Sequence, residues 1–153
     1  MKKKDDKNNQ KHNDRCEIKS NSCEAELRFR AIFEQAPYGI VIIDTDGKLL
    51  EFNEAAHRDL GYSKEEFAKL GLSDIDPYQS PEEIQKSMRE VLEKGEAEFE
   101  VKHRTKAGYI RDVNVITRVV NLSGSRVFQT IWHDVTERKQ AEKTLSKYSE
   151  HLE

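Results

Sequence analysis

The sequence predicts an α+β fold in which a five-stranded antiparallel sheet carries short helices on one face and a helix at each end. Three observations lead there. Residues 38–43, 48–52, 96–104, 109–120 and 126–133 are β-branched, aromatic or alternating, the composition of strands. The first two stretches, and the last three, are joined by turn-length connections, which makes neighbours antiparallel. Between the two groups lie repeated helix-start signals at Asn53, Ser63 and Ser80.

The elements follow in order. Glu24 to Gln35 reads as a helix with an apolar side formed by Leu27, Phe29, Ile32 and Phe33, ended by Pro37. Tyr38 to Ile43 is a strand, Asp44 to Gly47 a tight turn, and Lys48 to Phe52 the return strand. Asn53 caps a helix running to Leu60, with Gly61 as its stop. Ser63 with Glu66 three residues on forms a capping box for a helix that buries Phe67 and Leu70 and ends at Gly71. Ser73 to Tyr78 reads as an irregular turn. Ser80-Pro81-Glu82-Glu83 opens a longer helix with Ile84, Met88, Val91 and Leu92 inward, closed by Gly95. Three strands follow. The first sets Phe99, Val101 and His103 on one face, and the second sets Val113, Val115 and Thr117 on one face. The third ends at Trp132-His133, where Asp134 and Glu137 make a second capping box for a terminal helix free of Gly and Pro.

Bulk properties restrict function. Of 153 residues, 35% are hydrophobic and 36% charged, with a net charge of −3, so nothing suggests a nucleic-acid surface. Residues 1–23 are polar and read as a disordered tail. No apolar run approaches the roughly 20 residues of a membrane span, and the basic amino terminus lacks an apolar signal core. A cytoplasmic protein is the expectation. His12, Cys16 and Cys23 match no zinc spacing, so no metal is expected. No carboxylate pair or nucleophile constellation points to an enzyme.

Several pieces together resemble the PAS family of sensory domains. They are Phe33-Glu34-Gln35-Ala36-Pro37-Tyr38-Gly39-Ile40, Asp46-Gly47 with Asn53-Glu54-Ala55-Ala56, and Gly61-Tyr62-Ser63-Lys64-Glu65-Glu66. Phe99 to Arg104 with Gly108, and Asp134-Val135-Thr136-Glu137-Arg138-Lys139, complete the set. Ala107 departs from the family, which usually has Asp before that Gly. The resemblance implies a PAS-like sensor domain over 24–134, including the helix at 24–36, and a signalling helix over 135–153. It further implies a sensory or relay module feeding a histidine kinase or diguanylate cyclase effector, in cis or in trans. The alternative is a ligand-free dimerisation or protein-interaction module.

Candidate sites divide in two. Ile42, Phe52, Phe67, Phe99, Val101, His103, Val113, Val115 and Trp132 are pocket-lining candidates. Asn53, Asp134, Thr136 and Glu137 are candidates for coupling the sheet to the terminal helix. Trp132 reads first as core filler and second as a ligand contact. His103 reads first as a satisfied core or rim histidine and second as a ligand or pH-sensing group. Haem-binding relatives use a His on the long helix, and Ile84 to Glu93 has none. Flavin photosensors need a Cys between positions equivalent to Gly61 and Asp76, where this chain has none. No cofactor is therefore expected, while a small metabolite is compatible. Ala141, Leu145, Tyr148 and Leu152, spaced four, three and four apart, form a coiled-coil seam. Together with a broad, partly apolar outer sheet face, they predict a homodimer through the terminal helices.

Overall fold

The sheet order is β2 (Leu49–Phe52), β1 (Gly39–Ile43), β5 (Ser125–Asp134), β4 (Ile110–Leu122), β3 (Glu96–Arg104), so the last strand of the final meander pairs with the first strand of the opening hairpin. The computed structural model describes residues 22–151, with side chains through residue 149. Residues 22–35 form helix α1, a unit separate from the remainder. Within it the rings of Phe29 and Phe33 stack 5.8 Å apart. The tail expected over 1–23 lies outside the described residues except for Ser22 and Cys23, which are helical rather than disordered. His12, Cys16 and Leu152 also lie outside.

The second unit contains everything else. Strands β1 (Gly39–Ile43) and β2 (Leu49–Phe52) form the first hairpin. The Asp44 carboxylate accepts the N–H groups of Asp46 and Lys48, each at 2.9 Å, and Gly47 takes φ +89°. Helices α2 (Glu54–Arg58), α3 (Lys64–Phe67), α4 (Leu72–Ile75) and α5 (Pro81–Lys94) follow, then β3 (Glu96–Arg104), β4 (Ile110–Leu122), β5 (Ser125–Asp134) and helix α6 (Thr136–His151).

Local chemistry sets most of these boundaries. Asn53 caps α2 by accepting the Ala56 N–H at 3.1 Å. That helix is shorter than expected, yet Gly61 still closes it. The Gly61 N–H bonds to the Arg58 carbonyl and the Tyr62 N–H to the His57 carbonyl, the paired bonds of a Schellman closure. The Ser63–Glu66 capping box is present in full. Gly71 does not end α3, which stops at Phe67. Instead Gly71 precedes α4, a short helix where an irregular turn was expected, and the Asp74 carboxylate accepts its N–H at 2.8 Å. Ser80 caps α5, with Pro81 first in the helix and Gly95 left-handed at φ +87°.

The core lies between the sheet and α2–α5. Val41, Ile43, Val113, Val115, Phe128 and Trp132 come from the sheet; Ala56, Phe67, Ile75 and Val91 come from the helices, and Leu60 from the turn after α2. Gly39 suits this close approach: a Cβ there would lie 3.1 Å from the Ala56 Cα, so α2 lies directly against β1. On the other face Ile40, Ile131 and Ile116 stand side by side across three strands.

Candidate functional site

A cavity of about 90 Å³ lies between the inner sheet face and α4–α5. Strand alternation sets its floor. β3 contributes Phe99, Val101 and His103, β4 Val115 and Thr117, and β5 Phe128, Thr130 and Trp132. Its roof is Leu72, Ile84, Met88 and Val91. The polar lining is mostly engaged. Thr117 and Thr130 hydroxyls bond each other at 3.0 Å. The Asp76 carboxylate accepts the N–H groups of Tyr78 and Gln79 at 2.9 and 3.1 Å. Gln79, Ser87 and Phe99 are partly exposed.

The structure distributes the sequence candidates as follows. Phe99, Val101, His103, Val115 and Trp132 border the cavity. Val113 borders a smaller space of about 20 Å³ beside it, shared with His103, Trp132 and Asp134. Phe52 and Phe67 pack together in the core, ring centroids 4.7 Å apart, and do not border the cavity. Ile42 is a correction: it faces the other side of the sheet, and Ile43 borders the cavity in its place. Sequence reading missed α4 and the Asp76 loop as cavity walls.

His103 is 4% exposed, with its ring 4.6 Å from the Trp132 ring in an edge contact. Burial pushes its pKa down to about 4, against an upward pull from the Asp134 carboxylate. It is neutral at pH 7.

The second group of candidates forms a junction at the end of β5. Asp134 does not act through a capping box with Glu137. One Asp134 oxygen accepts the Thr136 N–H at 2.9 Å and the Thr136 hydroxyl at 2.6 Å; the other accepts from Arg111 Nε at 2.7 Å. Burial alone would raise the Asp134 carboxyl, but these donors outweigh it and hold it below the usual range. The Thr136 hydroxyl also accepts the Asp112 N–H at 2.8 Å, and the Val135 N–H bonds to the Asp112 carbonyl at 2.8 Å. The start of α6 is thus fastened to β4 as well as β5. Lys139, one turn on, pairs with Glu100 of β3. Glu137 is exposed in the first turn, where an acid favours the helix dipole. Asp59 of α2 feels Asp134 and Arg111 as well; burial, then the neighbouring Asp134 charge, raise its carboxyl despite Arg58 and Arg111.

Asn53 belongs to a different joint. Its Oδ1 accepts the Ile40 N–H at 2.9 Å and its Nδ2 donates to the Tyr38 carbonyl at 2.9 Å, while it caps α2. It is fully buried and ties α2 to the start of β1.

Among the described residues no helix is long and apolar enough to cross a membrane, and no cluster of three or more metal-binding side chains occurs.

Known proteins place this arrangement. The chain is 28% identical over 132 residues to the sensor histidine kinase TmoS of Ectopseudomonas mendocina, covering 84% of this chain and 14% of that protein. It is 30% identical over 120 residues to the methyl sulfide methyltransferase-associated sensor of Methanosarcina acetivorans, covering 78% of this chain and 12% of that one. It therefore spans about a seventh of the relatives' length or less. The PAS domain of an HTR-like protein from Haloarcula marismortui superposes with a TM-score of 0.73 at 25% identity, over 77% of this chain and 98% of that one. The PAS domain pattern matches residues 37–137, from the residue before Tyr38 through the junction at Thr136. With that match covering the sheet, the cavity and the junction together, the chain belongs to the PAS domain family of sensory modules.

Proposed function

We propose that this chain is the sensing and relay portion of a signalling protein. An event in the cavity shifts β3–β5. The shift passes through Asp112, Asp134 and Thr136 to α6, which acts on a histidine kinase or cyclase type effector in cis or in trans. The observation that carries this reading is the attachment of α6: its first residue, Thr136, bonds across to Asp112 of β4 and back to Asp134 of β5. Each such bond is worth about 0.5–1.5 kcal/mol net, and allosteric coupling typically needs about 1–3 kcal/mol. Two or three bonds therefore suffice to bias the helix.

Thr136→Val keeps the side-chain shape and removes the hydroxyl. The expected result is faster amide exchange in the first two turns of α6, with β3–β5 protection unchanged. Joined through α6 to a histidine kinase core, the same variant changes autophosphorylation severalfold. Unaltered α6 exchange, or loss of protection throughout the sheet, overturns the relay. The alternative, a ligand-free dimerisation module, draws on the exposure of Leu145 and Tyr148 on α6, 69% and 66%. It requires native mass spectrometry to find no small molecule on the purified protein and small-molecule panels to leave its melting temperature unmoved.

A further inference from the structure

Val101 and His103 border the cavity and Val113 lies in the core, so strand alternation sets Glu100, Lys102 and Asp112 on the opposite face of the sheet. Two ion pairs on that face link β3 to the start of α6. Lys139 pairs with Glu100. Lys102 pairs with the carboxylate of Asp112, whose backbone fastens Val135 and Thr136. Lys143, one turn beyond Lys139, borders the same wedge between α6 and the strands. Lys102 foremost, then Lys139 and Lys143, draw the Asp112 carboxyl below its usual range. The two attachments of α6 differ in kind. Thr136 is 7% exposed, and it is held by hydrogen bonds of 2.6–2.9 Å. The Lys139 and Glu100 side chains are 30% and 44% exposed, and they are held by charge.

Dissolved salt separates the two. It screens exposed charges, over about 30 Å at 0.01 M and about 3 Å at 1 M, and acts much less on buried groups. Past Lys139 every described side chain of α6 is exposed, so no burial holds the helix there. We propose that Glu100 and Lys139 are positioning residues that clasp α6 to β3 past its first turn, and that ionic strength is a second input to this helix, loosening the clasp while Thr136 stays in place. The clasp brings in β3, the edge strand that the Thr136 bonds do not reach. Its consequence at an effector rests on the relay proposed above; the clasp itself is a property of this chain.

The test is amide exchange of the whole chain in about 0.01 M and about 1 M potassium chloride, with sucrose of equal osmolarity as the uncharged control. In the unaltered protein, exchange over residues 139–147 is expected to quicken about two- to fivefold at high salt, the size expected of exposed ion pairs. Protection of β3–β5 and the effect of sucrose should stay flat. Lys139→Met keeps much of the stem and removes the charge, so it should exchange at the high-salt rate in both buffers. Lys139→Glu sets like charge against Glu100 and should invert the response, with salt now slowing exchange. Adding Glu100→Lys to Lys139→Glu should restore the original sign. Comparing variants within one buffer cancels any effect of salt on exchange chemistry. The proposal is overturned by an unaltered protein indifferent to salt, by an equal response to sucrose, or by a salt response that survives in Lys139→Met. The relay is read separately, with α6 joined to a histidine kinase core. A salt response in α6 that leaves autophosphorylation unmoved upholds the clasp and counts against the relay; no salt response, with Thr136→Val acting as expected, defeats the clasp alone.

Discussion

His103 illustrates what a single residue fixes and what it hides. Its place on the apolar side of β3 was legible, because Phe99, Val101 and His103 alternate against Glu98, Glu100 and Lys102. Its ring contact was not, since Trp132 reaches it only across β4, once β3, β4 and β5 are paired. Ile42 shows the converse. Gly39 to Ile43 is nearly all apolar, so the sequence carries no parity there, and a one-residue error exchanges the two faces. The packing of Gly39 on Ala56 sets the register and points Val41 and Ile43 inward. A pH prediction belongs at this scale. His103 titrates near 4 when folded and near 6.5 when unfolded. Between those values the unfolded chain binds a proton that the folded chain does not, so stability falls as pH falls. It is unaffected above about pH 6.5 and lower by about 3 kcal/mol by pH 4. The raised Asp59 carboxyl works in the opposite direction, because its protonation favours the folded state. Denaturant midpoints from pH 7 to pH 4.5 should decline in the unaltered protein and flatten in His103→Gln. Parallel slopes would show that His103 is not the titrating group. Below that window the lowered Asp134 and Asp112 carboxyls add their own losses.

At the scale of elements, the helix starts governed by neighbours in sequence were readable. Asn53, the Ser63–Glu66 box and Ser80-Pro81 all satisfy backbone N–H groups within three residues. Asp134 failed the same test because stronger claims come from afar. Arg111 is 23 residues away and reaches it only once β4 and β5 are paired. With Thr136 and Arg111 occupying both oxygens, the capping box with Glu137 does not form. The four-residue α4 was unreadable for a simpler reason: it is too short to show a helical period. Asn53 joins the two kinds of element, since one side chain caps α2 and holds β1 through Ile40 and Tyr38. Asn53→Ala therefore removes a cap and leaves the part-buried Ile40 N–H and Tyr38 C=O without their side-chain partner. The expected cost is about 1–3 kcal/mol, combining a cap of about 1 with up to about 2 for the backbone groups. Asn53→Ser retains a hydroxyl that can cap α2 and loses the amide contacts to β1, so it should cost less. Urea melts of the two variants check the order, and equal losses would mean that the cap contributes nothing.

At the scale of the whole molecule, one exposed apolar feature among the described residues is the far part of α6. Beyond Lys139 the helix is exposed along its described length, and Leu145 and Tyr148 lie on it three residues apart. Helices polar on every other side and carrying a narrow apolar stripe gain from pairing. At 16 residues, α6 spans about 24 Å, fewer than three heptads, so pairing through it alone is weak. A homodimer held this way should dissociate on dilution, which explains how a modest change at Thr136 could alter the pairing of two helices. Leu145→Asp places a charge in the stripe without touching the cavity or the junction, and because Leu145 is exposed the sheet loses no packing. Light scattering over a hundredfold concentration range should show the unaltered chain moving from monomer toward dimer and Leu145→Asp remaining monomeric, with equal melting temperatures at low concentration. A dimer that persists in Leu145→Asp would locate self-association elsewhere, at the Ile40–Ile131–Ile116 face of the sheet, and would leave α6 free to act on a partner of another kind.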